Sequence, residues 1–175
     1  MMNSPKNKIH PIGDNLDTFR PSFLFVWGSL FFAWLFSLLP WRTWEGSPDL
    51  LILVIAYWFA HNVPGMDFVV AIIVGLLMDV FDTTLLGSHS LNYILVLAGI
   101  ALMRQRTMQY SVLVQFIVVL PIFIFASLPS HLFESWLHGY WGGWSWLISG
   151  LITSALWIVV DIIFKFFGTV HYEQG

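Results

Sequence analysis

No lysine, arginine, aspartate or glutamate occurs between Arg20 and Arg42, between Arg106 and Glu134, or between Glu134 and Asp161. These intervals are unbroken apolar runs rather than alternations, which argues against strands and a barrel. The hydrocarbon core of a bilayer is ~30 Å thick and a helix rises ~1.5 Å per residue, so about 20 apolar residues cross it. In lipid the backbone must satisfy its own hydrogen bonds, and a helix does so within one segment.

Composition extends the argument to the whole chain. Of 175 residues, 58% are hydrophobic and 10% charged, against about 25% charged in an ordinary soluble domain. The length admits about six spans with short links and leaves no room for a separate soluble domain. Cysteine is absent, which excludes disulfides, thiol catalysis and thiolate metal sites. The net charge of −3 is unclustered, and no basic patch points to nucleic acid. No glycine-rich phosphate loop is present.

The expected fold is an all-α integral membrane protein, a bundle of about six transmembrane helices. Residues 1–21 read as a polar tail. The spans read as 22–41, 48–60, 67–82, 89–103, 110–129 and 144–167, and residues 168–175 as a second tail. Pro48 suits a first helical turn, where its missing N–H costs nothing. The second and third segments are short, and a tilted pair or a re-entrant hairpin is the alternative for them. Pro121 is expected to kink the fifth span. Residues 130–143 read as a connection, in which Leu132, Phe133, Trp136 and Leu137 suit a short helix lying on the membrane surface. No cleavable leader is visible, so the first segment is expected to remain as an anchor.

Orientation follows from the cations. With six spans, Lys6, Lys8, Arg20, Arg104, Arg106 and Lys165 share one flank, and Arg42 alone takes the other. The positive-inside rule then puts both ends in the cytoplasm. Trp41, Trp44, Trp136, Trp141, Trp144 and Trp146 fall at the opposite face, where indole rings favour the headgroup level.

Buried acids are the first candidates for chemistry, because charge inside a membrane is costly. Gly75, Asp79 and Asp82 lie at i, i+4 and i+7 and share a helix face. A proton or cation site competes here with a structural acid that hydrogen-bonds the tight link at 83–88, and the structural reading is favoured. Asp161 and Lys165 form an i, i+4 pair. The expected topology keeps Asp161 and Asp79 near opposite faces, too far apart for a shared-proton dyad. Ser88, His89 and Ser90 read as a polar helix start, since no G-x-S-x-G elbow surrounds them. His131, Glu134 and His138 would share a helix face, but without H-E-x-x-H the wet face of a surface helix outranks zinc. Small residues at Gly150 and Ser154, and at Ala98, Gly99 and Ala101, suit close helix packing, inside the bundle or against a partner. No catalytic group, metal site or cofactor is expected.

Two stretches resemble the bacterial rod shape-determining protein MreD family. One is the run from Pro48 through an aliphatic stretch to Tyr57-Trp58. The other is Gly75, Asp79 four residues on, and Leu86-Gly87 beyond, with Asp82 between. The long polar N-terminal tail, His61-Asn62, His89 and the tryptophan-rich last connection depart from the family pattern. The resemblance implies a non-enzymatic inner-membrane scaffold of the cell-elongation machinery, needed for rod shape and lateral-wall peptidoglycan synthesis. It implies association with MreC, and through it with MreB, RodA and its penicillin-binding transpeptidase. The structural motif residues would be Pro48, Trp58, Gly75, Asp79, Asp82 and Gly87. Gly75 would permit close helix approach, Asp79 would satisfy backbone groups near the link, and Gly87 would supply backbone freedom. On that view Asp79→Asn is expected to keep most function. The alternative is a small-molecule transporter or vitamin-binding subunit of the energy-coupling-factor type, whose fold the family resembles. A roomy polar cavity between the third, fourth and sixth spans would favour it.

Overall fold

The computed structural model describes residues 21–40, 44, 46–82, 85–107, 111–139, 141 and 143–170, with backbone alone at 105–107, 134 and 167–170. Of the expected polar tails, residues 1–20, with Lys6, Lys8 and Arg20, and 171–175 lie outside the described residues, as do Trp41 and Arg42, while 168–170 belong to the last helix. The described residues form six helices and no strand: α1 (Phe23–Ser37), α2 (Leu50–Ala60), α3 (Phe68–Asp82), α4 (Ser88–Thr107), α5 (Val112–His138) and α6 (Ser145–Val170).

Each of the first three helices starts where a short polar side chain precedes an apolar run and takes up the free N–H groups of the first turn. Ser22 Oγ accepts from the Phe25 N–H at 3.3 Å. Asp49 Oδ1 accepts from Leu51 and Ile52 at 3.2 and 3.3 Å. Asp67 Oδ1 accepts from Val69 and Val70 at 3.0 and 3.2 Å. Pro48 therefore sits just outside α2, before its cap, and not in the first turn as expected.

The fifth segment differs most from its expected form. Helix α5 does not stop at residue 129; it runs through Pro121 and Pro129 to His138, so 130–138 is no separate surface helix. Each proline removes one backbone N–H from the helix. The inward stripe nevertheless continues past both, with Phe123, Ala126 and Ser130 buried. Ser130 Oγ donates to the Ser88 carbonyl at 3.0 Å, which fixes the extended part to α4. Gly139, at φ 69°, ends the helix, its N–H reaching the Ser135 carbonyl at 3.0 Å.

Helices α5 and α6 are long and apolar enough to cross a membrane, and α1 and α2 are shorter apolar helices. The surface is apolar as well. Phe23, Leu24, Phe31 and Phe32 on α1 and Val69, Ile73, Val80 and Phe81 on α3 are exposed.

The core is built around α2, in which every residue from Leu51 to Ala60 is buried. It packs on α1, α4 and α6, while α3, α4, α5 and α6 adjoin one another in chain order. At one end of α2, Asp49 meets Tyr93 early in α4 and Thr153 in the first half of α6. At the other end, Trp58 meets Phe25 at the start of α1 and Phe164 late in α6. The chain thus enters α1 and leaves α6 at the same end of the bundle.

The small residues of α4 and α6 serve internal packing. A Cβ on Gly99 would lie 2.6 Å from Ile122 Cγ2, and one on Gly150 3.3 Å from Ile124 Cγ1. The tightest approach is at Gly75, where a Cβ would lie 2.6 Å from Ser90 Cα and 2.7 Å from its backbone nitrogen. Backbone cannot rotate away, so Gly75→Ala must push α3 from α4. It is expected to lower stability by about 1–3 kcal/mol. Gly28→Ala, whose Cβ would meet nothing within 4 Å, is expected to leave the thermal midpoint in detergent unchanged.

Candidate functional site

Close contact of α3 with α4 brings the start of α4 over Asp79. This carboxylate has no solvent exposure. Its Oδ2 accepts from the Gly87 N–H at 2.7 Å, and its Oδ1 accepts from the His89 N–H at 2.8 Å. His89 Nδ1 lies 2.9 Å from the same Oδ1, and His89 Nε2 lies 3.3 Å from Asp82 Oδ2. The two ring nitrogens of His89 thus lie between the two acids, Nδ1 toward Asp79 and Nε2 toward Asp82. Gly87 stands at φ 98°, in the left-handed region that favours glycine. Gly75, Asp79, Asp82 and Gly87 are thus one cluster, in which a buried acid holds the link between α3 and α4. Thr83 and Thr84 of that link lie outside the described residues.

The same end of the bundle opens into a cavity of about 630 Å³. Its wall is made by the end of α1, the start of α2, the end of α3, the start of α4, the middle of α5 and the start of α6. Among the lining groups are Asp49, Asp82, His89, Asn92, Trp146 and Ser149. Asn92 Oδ1 and Trp146 Nε1 are buried there with no hydrogen-bond partner among the described residues. Trp44, Trp136 and Trp144 are exposed at the surface, but Trp146 is 92% buried in this wall, contrary to its expected place among the surface indoles.

A second polar cluster lies at the far end. Tyr57 Oη donates to Asp161 Oδ1 at 3.2 Å, and Lys165 Nζ donates to Asp161 Oδ2 at 2.8 Å. His61 sits just past α2, its ring 4.2 Å from that of Tyr57, and burial holds its imidazole below the usual value. Trp58 Nε1 donates to Ser29 Oγ at 2.9 Å and its ring stacks on Phe164. Asp79 and Asp161 serve opposite ends of the bundle and do not meet.

His131 packs against Trp146 in the cavity wall. The side chain of Glu134 lies outside the described residues, and no group of three metal-binding side chains is found among those described. Sequence reasoning missed Asp49 and Tyr93, whose hydroxyl donates to the Asp49 carboxylate at 2.9 Å. The signal available was an aspartate directly before an apolar run, which marks an N-cap. It also missed the second partner of His89, and Gln115, which accepts from buried Trp157 Nε1 at 3.3 Å.

The model of the rod shape-determining protein MreD family matches residues 17–167, which take in all six helices but the last three residues of α6. The chain belongs to the MreD family. No curated protein and no solved structure matches it. Membership in MreD carries a role in rod shape determination and an association with the membrane.

For this MreD-family chain the Asp79 geometry changes the expected effect of Asp79→Asn. Both carboxylate oxygens accept from N–H groups, and an amide offers one acceptor and one donor. Asparagine must therefore turn its NH₂ toward either Gly87 or His89. Asp79→Asn is expected to cost about 1–3 kcal/mol, and Asp82→Asn, whose amide oxygen can still meet His89, less. Thermal unfolding in detergent, followed by tryptophan fluorescence, checks the order.

Proposed function

We propose that this chain is a non-enzymatic scaffold of the bacterial elongation machinery, threading the inner membrane six times with both ends in the cytoplasm. It would hold MreC in the membrane, and through MreC the MreB filament, RodA and its penicillin-binding transpeptidase, so that lateral-wall peptidoglycan is made along a rod. The observation that carries this reading is the family match over 17–167. Two features support it. The buried carboxylates Asp79 and Asp161 are engaged in bonds that tie helix to link and helix to helix. The described cations Arg104 and Lys165 lie toward the Trp58 end, where Arg104 stands over Phe59 at 5.4 Å. That end is also where the chain enters and leaves the bundle, as cytoplasmic ends require under the positive-inside rule.

Depletion of the protein in a rod-shaped host is expected to yield spheres, and re-expression is expected to restore rods. MreC is expected to come down with the tagged chain from detergent extracts. Reporter tags at the two ends are expected to be shielded from outside. Rods that persist at full depletion, or tags on opposite sides, would sink the proposal.

One observation favours the second reading, a small-molecule-binding membrane subunit: the polar cavity of about 630 Å³ walled by the ends of α3, α4 and α6 with their neighbours. A chain that supported rod shape equally well with that cavity filled by bulky side chains would count against a ligand in the shape role.

A further inference from the structure

The cavity at the Asp49 end has a chemistry of its own. Its volume of about 630 Å³ falls within the roughly 300–1,000 Å³ of small-molecule sites. Asp49 and Asp82 line it, and no lysine or arginine does among the described residues. Three of the serines in its wall spend their only proton on backbone carbonyls: Ser127 on Ile124 at 2.9 Å, Ser130 on Ser88 at 3.0 Å and Ser149 on Ser47 at 2.7 Å. What these hydroxyls still offer is lone pairs. Asn92 Oδ1 is a buried acceptor with no partner among the described residues. Against this stands one unpartnered buried donor, Trp146 Nε1. The wall is therefore weighted toward acceptors and negative charge, and Phe81, Phe123 and Trp146 add aromatic rings.

We propose that this cavity binds a small organic amine, whose ammonium group faces Asp82 and the acceptor wall and whose body carries an acceptor for Trp146 Nε1. An ammonium brings three donors and a positive charge, and ring faces attract it further. An anion would meet two carboxylates and, among the described residues, no lysine or arginine. The inference deepens the small-molecule reading of this cavity and is independent of the scaffold role. The amine can come from a soluble metabolite or from an aminophospholipid headgroup, since the cavity opens at an end of the bundle.

The full chain in detergent is titrated with glucosamine, glucose and gluconate, which share a shape and differ in charge. Thermal midpoint and calorimetry are read. In parallel the chain is placed in nanodiscs of phosphatidylethanolamine or phosphatidylcholine, which differ in N–H donors. Saturable binding of glucosamine, with glucose and gluconate about tenfold weaker or worse, supports a soluble amine. A higher midpoint in phosphatidylethanolamine alone supports the headgroup. In either case Asp82→Asn and Trp146→Phe are expected to weaken the effect about tenfold, each with its own ligand-free midpoint as the folding control. Equal binding of the three sugars, or undiminished amine binding in both folded variants, overturns the proposal while leaving a small-molecule site. No binding of any probe and equal midpoints in both lipids overturn the small-molecule reading itself.

Discussion

Helix α2 has no face left for lipid. Its residues 51–60 are all buried, and it is shorter than the ~20 residues of an ordinary span. An apolar helix of this kind cannot stand alone in either solvent, so α1, α4 and α6 must enclose it. Its ends must also be closed, because free N–H and C=O groups away from water are costly. Asp49 closes the first end and does more than cap it. Its carboxylate takes the first-turn N–H groups of α2 and the hydroxyl of Tyr93 on α4, while its own N–H donates to Thr153 Oγ1 on α6 at 3.1 Å. One residue thereby joins three helices. At the second end aromatic packing takes over, with Trp58 between Phe25 of α1 and Phe164 of α6.

The two ends of the bundle consequently differ in chemistry. The Trp58 end carries Arg104 and Lys165 close to aromatic and acidic partners. The Asp49 end carries serines, carboxylates, a cavity and exposed indoles. A bilayer reads such asymmetry directly, since basic side chains stay on the cytoplasmic side and indoles settle among headgroups. One end therefore carries acidic and hydroxyl groups around an open cavity, while at the other Lys165 is tied up in an ion pair with Asp161.

How much of this the sequence disclosed depends on the range of each interaction. Apolar runs are local, and they were readable. So was the shared face of Gly75, Asp79 and Asp82, which rests on helix periodicity alone. The Asp49 cap is local too, but it was passed over for Pro48. The burial of α2 was not readable, because a helix that is apolar all round looks the same whether it faces lipid or protein. The continuation of α5 past Pro129 was hidden for another reason. A proline weighs against a helix locally, and the opposing weight comes from Ser130 reaching Ser88 across 42 positions of chain. Trp146 illustrates the remaining failure. An indole near a span end belongs at the headgroup level by default, and only the arrangement of five other segments turns it inward. The cavity has no sequence signature, since its wall draws on all six helices.

The residues around the α3–α4 link act as one unit, and the reason is geometric. Gly75 lacks a Cβ, so the Ser90 backbone can lie against it. That approach carries the start of α4 over the next turn of α3, where Asp79 waits one helical turn on. Only then do the Gly87 and His89 N–H groups fall within 2.7 and 2.8 Å of the carboxylate. The positive φ of Gly87 lets the chain turn sharply enough to present both. Hydrogen bonds weaken steeply with distance and angle, so a displacement of α4 by a single methyl group is enough to loosen them. A fully buried carboxylate is thus satisfied at Asp79 because a missing side chain four residues earlier brings its partners close. The spacing of glycine, aspartate and glycine is the footprint of that dependence.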